Sequence, residues 1–358
     1  MTQDLKIIIP TAGWATRMRP QTWSKPKPLV SVAGKTVLDH QLDMFRSVPG
    51  LFPEGSRSAG AMPPARKVEI VLILGAGLGE AQIPPFMREQ YPGLKPHFVL
   101  QPVMRGQADA LWLARQHLHG PVLICFSDTL IETDFSFLAN EESGGAIWVK
   151  PVPDPRRFGV VELDSEGWLK HLVEKPGKME NNLAVVGCYY FQKGEELLSA
   201  IEEQMHSGVS KKGEYFLSDT INIMLQRGSK MRTQPVEVWL DTGTIEATLE
   251  TNRYLLDHGH ASKASIKKKP AVRIVPPVFI HPDARIRNSV IGPYASIGEG
   301  CIITDACIED SILESGVTVE SAALKGSYIG RQARIKGLSA KAPALKLNIG
   351  DDSSVVLM

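Results

Sequence analysis

The sequence predicts an α/β domain on a mostly parallel sheet, followed by a short parallel β-helix. Three observations carry that expectation. Apolar, β-branched runs alternate with segments of helical spacing from residue 5 to about 126. A turn of small residues, Ala12, Gly13 and Ala15, follows the first of those runs. From about residue 274, Ile280, Ile286, Ile291, Ile297, Ile303 and Ile308 recur every five or six positions.

Strands are predicted at 5–10, 68–74, 97–101 and 121–126, each an apolar run of suitable length. Helical spacing marks 36–47, through Val37, Leu38, Gln41, Leu42 and Phe45, and again 106–118. Strands alternating with helices imply a Rossmann-like sheet covered on both faces, with ligands outside the carboxyl ends of the strands. That rule sets the Gly13 loop, Gln101 and Asp128 along one rim. Residues 50–66 are rich in Gly, Pro and Ser and read as a surface insertion. Gly75, Gly77 and Gly79 imitate a dinucleotide fingerprint, but the third glycine falls on Glu80, so a strand-to-helix turn is expected. The chain divides on this reading into a first domain (1–258), a linker (259–273) with Lys267 to Lys269, a β-helix (274–337) and a C-terminal tail (338–358).

In the repeat, Ala284, Ala295, Cys301 and Cys307 read as small inward residues. Ser289-Val290-Ile291, Ser311-Ile312-Leu313 and Ser327-Tyr328-Ile329 echo one another and suggest a few rungs. Such solenoids resemble left-handed β-helices and leave apolar ends that favour self-association, so a homo-oligomer is expected. The only histidine there is His281, at the entrance, and an assembly role is expected rather than acyl transfer.

Composition excludes several classes. The 358 residues carry net charge +1, so nothing predicts attraction to nucleic acid or an anionic membrane. No run of eighteen apolar residues predicts a membrane span, and the start, MTQDLKIIIP, lacks signal-peptide character. Cys125, Cys188, Cys301 and Cys307 form no C-x-x-C pair, so buried free thiols in a cytoplasmic protein are expected.

The chemistry concentrates in residues 10–29, PTAGWATRMRPQTWSKPKPL. A tight turn at a strand's end exposes N–H groups that can cradle phosphates, and Arg17 and Lys27 are fixed cations for a departing polyphosphate. No Walker string occurs. Gly13, Thr16, Arg17, Met18, Pro20, Thr22 and Lys27 resemble the signature G-x-G-T-R-[LM]-x-P-x-T and following lysine of the sugar-nucleotide pyrophosphorylases. The second glycine of that signature is Ala15 here, strained if the backbone needs positive φ, and Trp14 beside it is bulky.

The resemblance extends over roughly residues 5–256. It implies a nucleotidyltransferase domain that joins a nucleoside triphosphate to a sugar 1-phosphate with Mg²⁺. Ala12, Gly13, Thr16 and Arg17 would bind the triphosphate, and Gln101 and Gly106 the base. A Gln amide suits the imide edge of uracil or thymine. Asp128, just past a buried strand, can hold a hard cation, and Asp241 in Trp239-Leu-Asp-Thr-Gly-Thr resembles the family's second metal aspartate. Both could instead cap helices. Gly159, Glu174, Lys175 and Asn182 resemble the sugar-phosphate segments, and Arg17 and Lys27 would be catalytic. Glucose 1-phosphate with dTTP or UTP is the default. Mannose or N-acetylglucosamine phosphates and a non-catalytic scaffolding role remain open.

Overall fold

The computed structural model describes residues 4–48, 50–51, 67–179, 181–208, 210, 213–262 and 271–357. Most of the expected insertion and the core of the expected linker lie outside the described residues. The chain forms two compact units, Met1–Gly13 with Gln41–Trp239, and Trp14–His40 with Leu240–Met358.

The first unit is built on a nine-stranded sheet. Its parallel half runs Val122–Cys125, Leu5–Pro10, Val68–Gly75, His97–Gln101. All four expected strands are present, and so are both expected helical stretches, as Gln107–Leu113 and as Val37–Met44, which spans the unit boundary at His40; each is continued by a 3-10 turn. Leu5 to Ile9 are all buried, as both faces of a covered parallel sheet require. The other half is antiparallel, apart from Met231–Pro235 running parallel to Gly145–Pro151, and turns on Leu183–Phe191, which pairs with Val122–Cys125 and with Gly145–Pro151. Gly159–Leu163 and Leu169–Glu174 form a hairpin beside it. Gly194–Ser207 and Leu217–Gln226 pack Leu197, Ile201, Leu217 and Ile221 into the core. Cys125 and Cys188 sit opposite each other as buried free thiols.

In the second unit, short parallel strands stack into three sheets, fitting the expected left-handed β-helix. Pairing aligns Ile274, Ile291, Ile308 and Leu324 in one ladder, and Ile280, Ile297, Leu313, Ile329 and Ile349 in the next. Ile286, Ile303, Val319, Ile335 and Val355 form the third. All of these but Val355, at the last rung, pack in the coil's core, so each rung covers its neighbour.

Three expectations need correction. Residues 338–358 are not a tail: Asn348–Ile349 pairs with Tyr328–Ile329, and Ser354–Val356 with Arg334–Lys336. A longer excursion over 338–347 breaks the five-to-six spacing and hides this last rung in the sequence. Cys307 is only half-buried, because its neighbours Ala306 and Ile308 take the inward places. The compact units also cut across the division at 258. Met18, Val30, Val32, Val37, Ile245 and Leu249 bury their apolar faces with Ile312 and Tyr328 of the coil. Among the described residues, no helix is long and apolar enough to cross a membrane.

Candidate active site

In the first unit, the Leu5–Pro10 strand delivers the small-residue turn. Thr11 donates through both its N–H and its hydroxyl to the Ile73 carbonyl, each at 2.8 Å. Ala12 follows, buried, and then Gly13, exposed with open space where a side chain would stand. A Cβ on Gly75 would lie 2.7 Å from the Ala12 carbonyl oxygen. Gly75 is therefore a close-approach glycine, and Gly77 caps the helix Leu78–Gln90, the strand-to-helix turn that was expected.

Gln101 ends its strand almost fully buried. Its amide nitrogen donates to Asp109 Oδ2 at 2.9 Å and to the Gly106 carbonyl at 3.2 Å. Both partners are pure acceptors, so the amide's donor side is committed and Oε1 is what remains for a ligand. Gly106 (φ 100°) is required by packing, because a Cβ would collide with the Tyr215 carbonyl oxygen. Asp109, paired with Arg105 at 2.7 Å, is a residue that sequence reasoning missed. Its signal was the i, i+4 spacing to Arg105 at a helix start.

Asp128 is half-buried in the turn after Val122–Cys125. That turn is tied to a register break in the strand Leu183–Phe191. Phe126 N–H donates to the Gly187 carbonyl at 2.9 Å, and the Thr129 hydroxyl to the Val186 carbonyl at 2.7 Å. Gly187 has φ 86°, and a Cβ there would meet Thr129 Oγ1 at 2.7 Å. Tyr189 follows, buried; burial first and then the Glu174 charge push its phenol far above the ordinary value, with Asp128 adding to the effect. Tyr189 thus lies in the field of both carboxylates, a link the sequence did not advertise.

Gly159 and Glu174 face each other in the hairpin, and a Cβ on Gly159 would approach Glu174 Oε2 at 3.3 Å. Lys175, at φ 50°, turns out of the strand with its ammonium exposed, 3.8 Å from Glu174. Asn182 is exposed at the start of the neighbouring strand, where Asn181 makes the structural bonds to Val161 and Leu183. Gly159, Glu174 and Lys175 are therefore brought together, with Asn182 on the adjoining strand.

In the second unit, Trp14 is 64% exposed and Ala15 is left-handed (φ 46°, ψ 41°). The Ala15 carbonyl accepts from Met18 N–H and from the Thr22 hydroxyl, both at 2.9 Å, which holds the strained residue in place. Thr16 and Arg17 are exposed on the 3-10 turn that buries Met18. Lys27 opens a later 3-10 turn, Lys27–Leu29, and is buried. Asp241 Oδ1 accepts the Gly243 N–H at 2.6 Å, and Thr244 caps the helix Ile245–Leu255 through Ala247 N–H. A Cβ on Gly243 would lie 2.8 Å from Asp241 Oδ1 and 3.3 Å from Arg17 Nη2. A cation and a carboxylate from distant parts of the chain therefore border one glycine.

Among the described residues, two other clusters could offer metal ligands. Glu69, His97 and His117 bring their donor atoms within 4.8 Å, but Lys67 holds Glu69 at 2.7 Å and Lys6 adds positive charge, which disfavours a dication. His281, Asp283 and Glu299 lie at the surface of the coil. A cavity of about 680 Å³ lined by Phe137, Glu141, Trp168, Lys230 and Arg232 contains none of the expected site residues.

Comparison with known proteins is consistent across the chain. Residues 62–258 match the family described as nucleotidyl transferase. The glucose-1-phosphate thymidylyltransferase of Streptomyces griseus is 27% identical over 373 aligned residues, covering 98% of both chains. That of Streptomyces antibioticus is 28% identical over 381, covering 98% of this chain and 99% of the other. A Bacillus anthracis structure in complex with sucrose, described as a glucose-1-phosphate thymidylyltransferase, superimposes with a TM-score of 0.56. Its identity is 21% over 70% of this chain and 94% of that one, a likeness of fold. The family match covers the Gln101, Asp128, Glu174 and Asp241 segments, and this chain belongs to the nucleotidyl transferase family.

Proposed function

We propose that this chain joins a sugar 1-phosphate to a nucleoside triphosphate, forming an NDP-sugar and releasing pyrophosphate. Glucose 1-phosphate with dTTP or UTP is the first choice of substrates: the name of the Streptomyces relatives gives glucose 1-phosphate and a thymidylyl group, and a Gln amide suits uracil as well as thymine. The observation that carries the reading is the meeting of Arg17 and Asp241 around Gly243. An exposed guanidinium beside an oriented carboxylate is what polyphosphate chemistry asks of a protein.

The sugar phosphate oxygen attacks the α-phosphorus in line and needs no general base, because a phosphate monoester is largely dianionic near neutrality. The residues therefore position groups and stabilise charge. Backbone N–H groups of Ala12, Gly13 and Thr16 cradle the triphosphate, Arg17 neutralises the departing pyrophosphate, and Lys27 bears on the reacting phosphates. Gln101 Oε1 accepts the imide N–H of the base, with Gly106 beside it. Glu174 takes sugar hydroxyls, and Gly159, Lys175 and Asn182 complete the acceptor segment. Asp128 and Asp241 are the ligands proposed for Mg²⁺. Both are hard oxygen donors and only partly buried, as that ion needs. The chemistry supplied by the bound ion is charge neutralisation at the α-phosphate. Self-association through the β-helix and a cytoplasmic location belong to the same reading.

The test crosses UTP, dTTP, GTP and ATP with the 1-phosphates of glucose, mannose and N-acetylglucosamine, and follows pyrophosphate. Turnover with a pyrimidine triphosphate and glucose 1-phosphate is expected. No turnover with any pair would leave the scaffolding role standing.

A further inference from the structure

The second unit contains a buried charged network that stability alone does not explain. Lys25 is 1% exposed and Glu314, in the coil, 2%. The Lys25 ammonium donates to Glu314 Oε2 and, at 3.0 Å, to Asp351 Oδ1. Glu314 Oε1 accepts the Tyr328 hydroxyl at 2.8 Å and the Ser31 N–H at 3.2 Å. Asp351 also accepts the Ser24 hydroxyl at 2.7 Å and Arg331 Nε at 2.9 Å. Nearby, the Gln21 amide donates to Asn348 Oδ1 and to the Ile349 carbonyl, each at 2.9 Å.

Ion pairs this deep recover little net stability, since desolvation offsets their attraction, and well-packed apolar side chains commonly do as well. What they supply is one defined register. The contacts fall on Gln21, Ser24 and Lys25 before Lys27 and on Ser31 after it. Pro26 and Pro28 stiffen the peptide between. Lys27 is thus clamped on both sides by coil residues, and Asp351 belongs to the last rung.

We propose that Glu314 and Asp351, acting through Lys25, Ser24 and Ser31, are positioning residues that hold Lys27 for phosphate chemistry. The β-helix is then part of the catalytic apparatus as well as a surface for assembly. This rests on the nucleotidyl-transfer reading above.

A displacement of about 1 Å in a positioned group costs up to about 10²-fold in rate. Glu314→Gln and Asp351→Asn are each expected to lower kcat for pyrophosphate release by about tenfold or more, with the KM for triphosphate changed by less. In a Lys27→Ala background the same changes are expected to do nothing further. Amide hydrogen exchange across residues 26–31 is expected to quicken in Glu314→Gln while the Leu5–Pro10 strand stays protected. Wild-type kcat in both variants, or a loss that adds in full to that of Lys27→Ala, overturns the proposal. Should the single variants fail to fold, Lys25→Met with Glu314→Leu supplies an apolar replacement. Low kcat in that folded double variant supports positioning, and restored kcat overturns it. If the wild-type chain turns over no substrate pair, the functional reading fails; unchanged exchange across 26–31 would then reject the clamp independently.

Discussion

The side-chain amide of Gln101 donates to the Asp109 carboxylate at 2.9 Å, and both residues are nearly sealed from solvent. In the proposed site, Asp109 therefore decides which end of the amide is left for the base. Replacing it by Asn substitutes a group that both donates and accepts, and frees the amide to turn. A hydrogen bond to a charged partner contributes roughly 1.5–3 kcal/mol. Asp109→Asn is expected to raise the KM for the pyrimidine triphosphate by about tenfold with little change in kcat, read from pyrophosphate release at saturating sugar phosphate.

Gly243 is the place where Asp241 and Arg17 meet, and an added methyl has no room there. The backbone at this position does not require glycine's conformational freedom, so Gly243→Ala should fold. Kinetics of that variant are expected to resemble Arg17→Ala, with kcat down by about 10²–10³-fold. An unchanged melting temperature beside normal kcat would detach these two side chains from catalysis.

Ala15 adopts a left-handed conformation that costs an alanine roughly 1 kcal/mol. Glycine removes that strain but restores freedom to the unfolded chain, a cost of about 0.4–1 kcal/mol. Ala15→Gly is therefore expected to leave thermal stability nearly unchanged, whereas Ala15→Val, β-branched at positive φ, should destabilise by more than about 1 kcal/mol. Chemical denaturation of the three proteins measures the difference.

Asp351 carries a pH dependence. Burial works to raise its carboxyl, but the Ser24 hydroxyl, the Lys25 charge and Arg331 together hold it below the usual carboxylate range. A group depressed on folding stabilises the native state above its unfolded value and loses that contribution as pH falls through the folded one. Its contribution is thus whole near neutrality and disappears below about pH 4. Lys25→Met removes one of the depressing charges and should move the acid-unfolding midpoint upward, followed by circular dichroism.

Much of the fold was legible because it repeats local chemistry. The strands at 5–10, 68–74, 97–101 and 121–126 are continuous apolar runs, and such runs have few alternatives when both faces are covered. The last rung was not legible, since 338–347 separates Asn348–Ile349 from the spacing that precedes it. Among the candidate residues, Arg17, Lys27 and Asp128 stood out by residue type and neighbours, and Asp241 by resemblance. Tyr189 and Glu314 did not, because each matters through a partner remote in sequence, and Asp109 did not, because its i, i+4 spacing to Arg105 is common on helices and its bond to Gln101 depends on how strand and helix pack.

The sequence by itself determined the alternation that makes the sheet, the aliphatic period that makes the coil, and the turn of small residues with its following cations between residues 10 and 29. Those are properties of short windows, in which side-chain type and spacing act on the backbone directly. The tertiary structure alone decided that Gln101 spends its donors on Asp109, that Ala15 is held left-handed, and that Lys25 is buried against Glu314 and Asp351. The last joins segments far apart along the chain, and the first two depend on how neighbouring segments turn and pack against each other, which residue type and spacing do not encode.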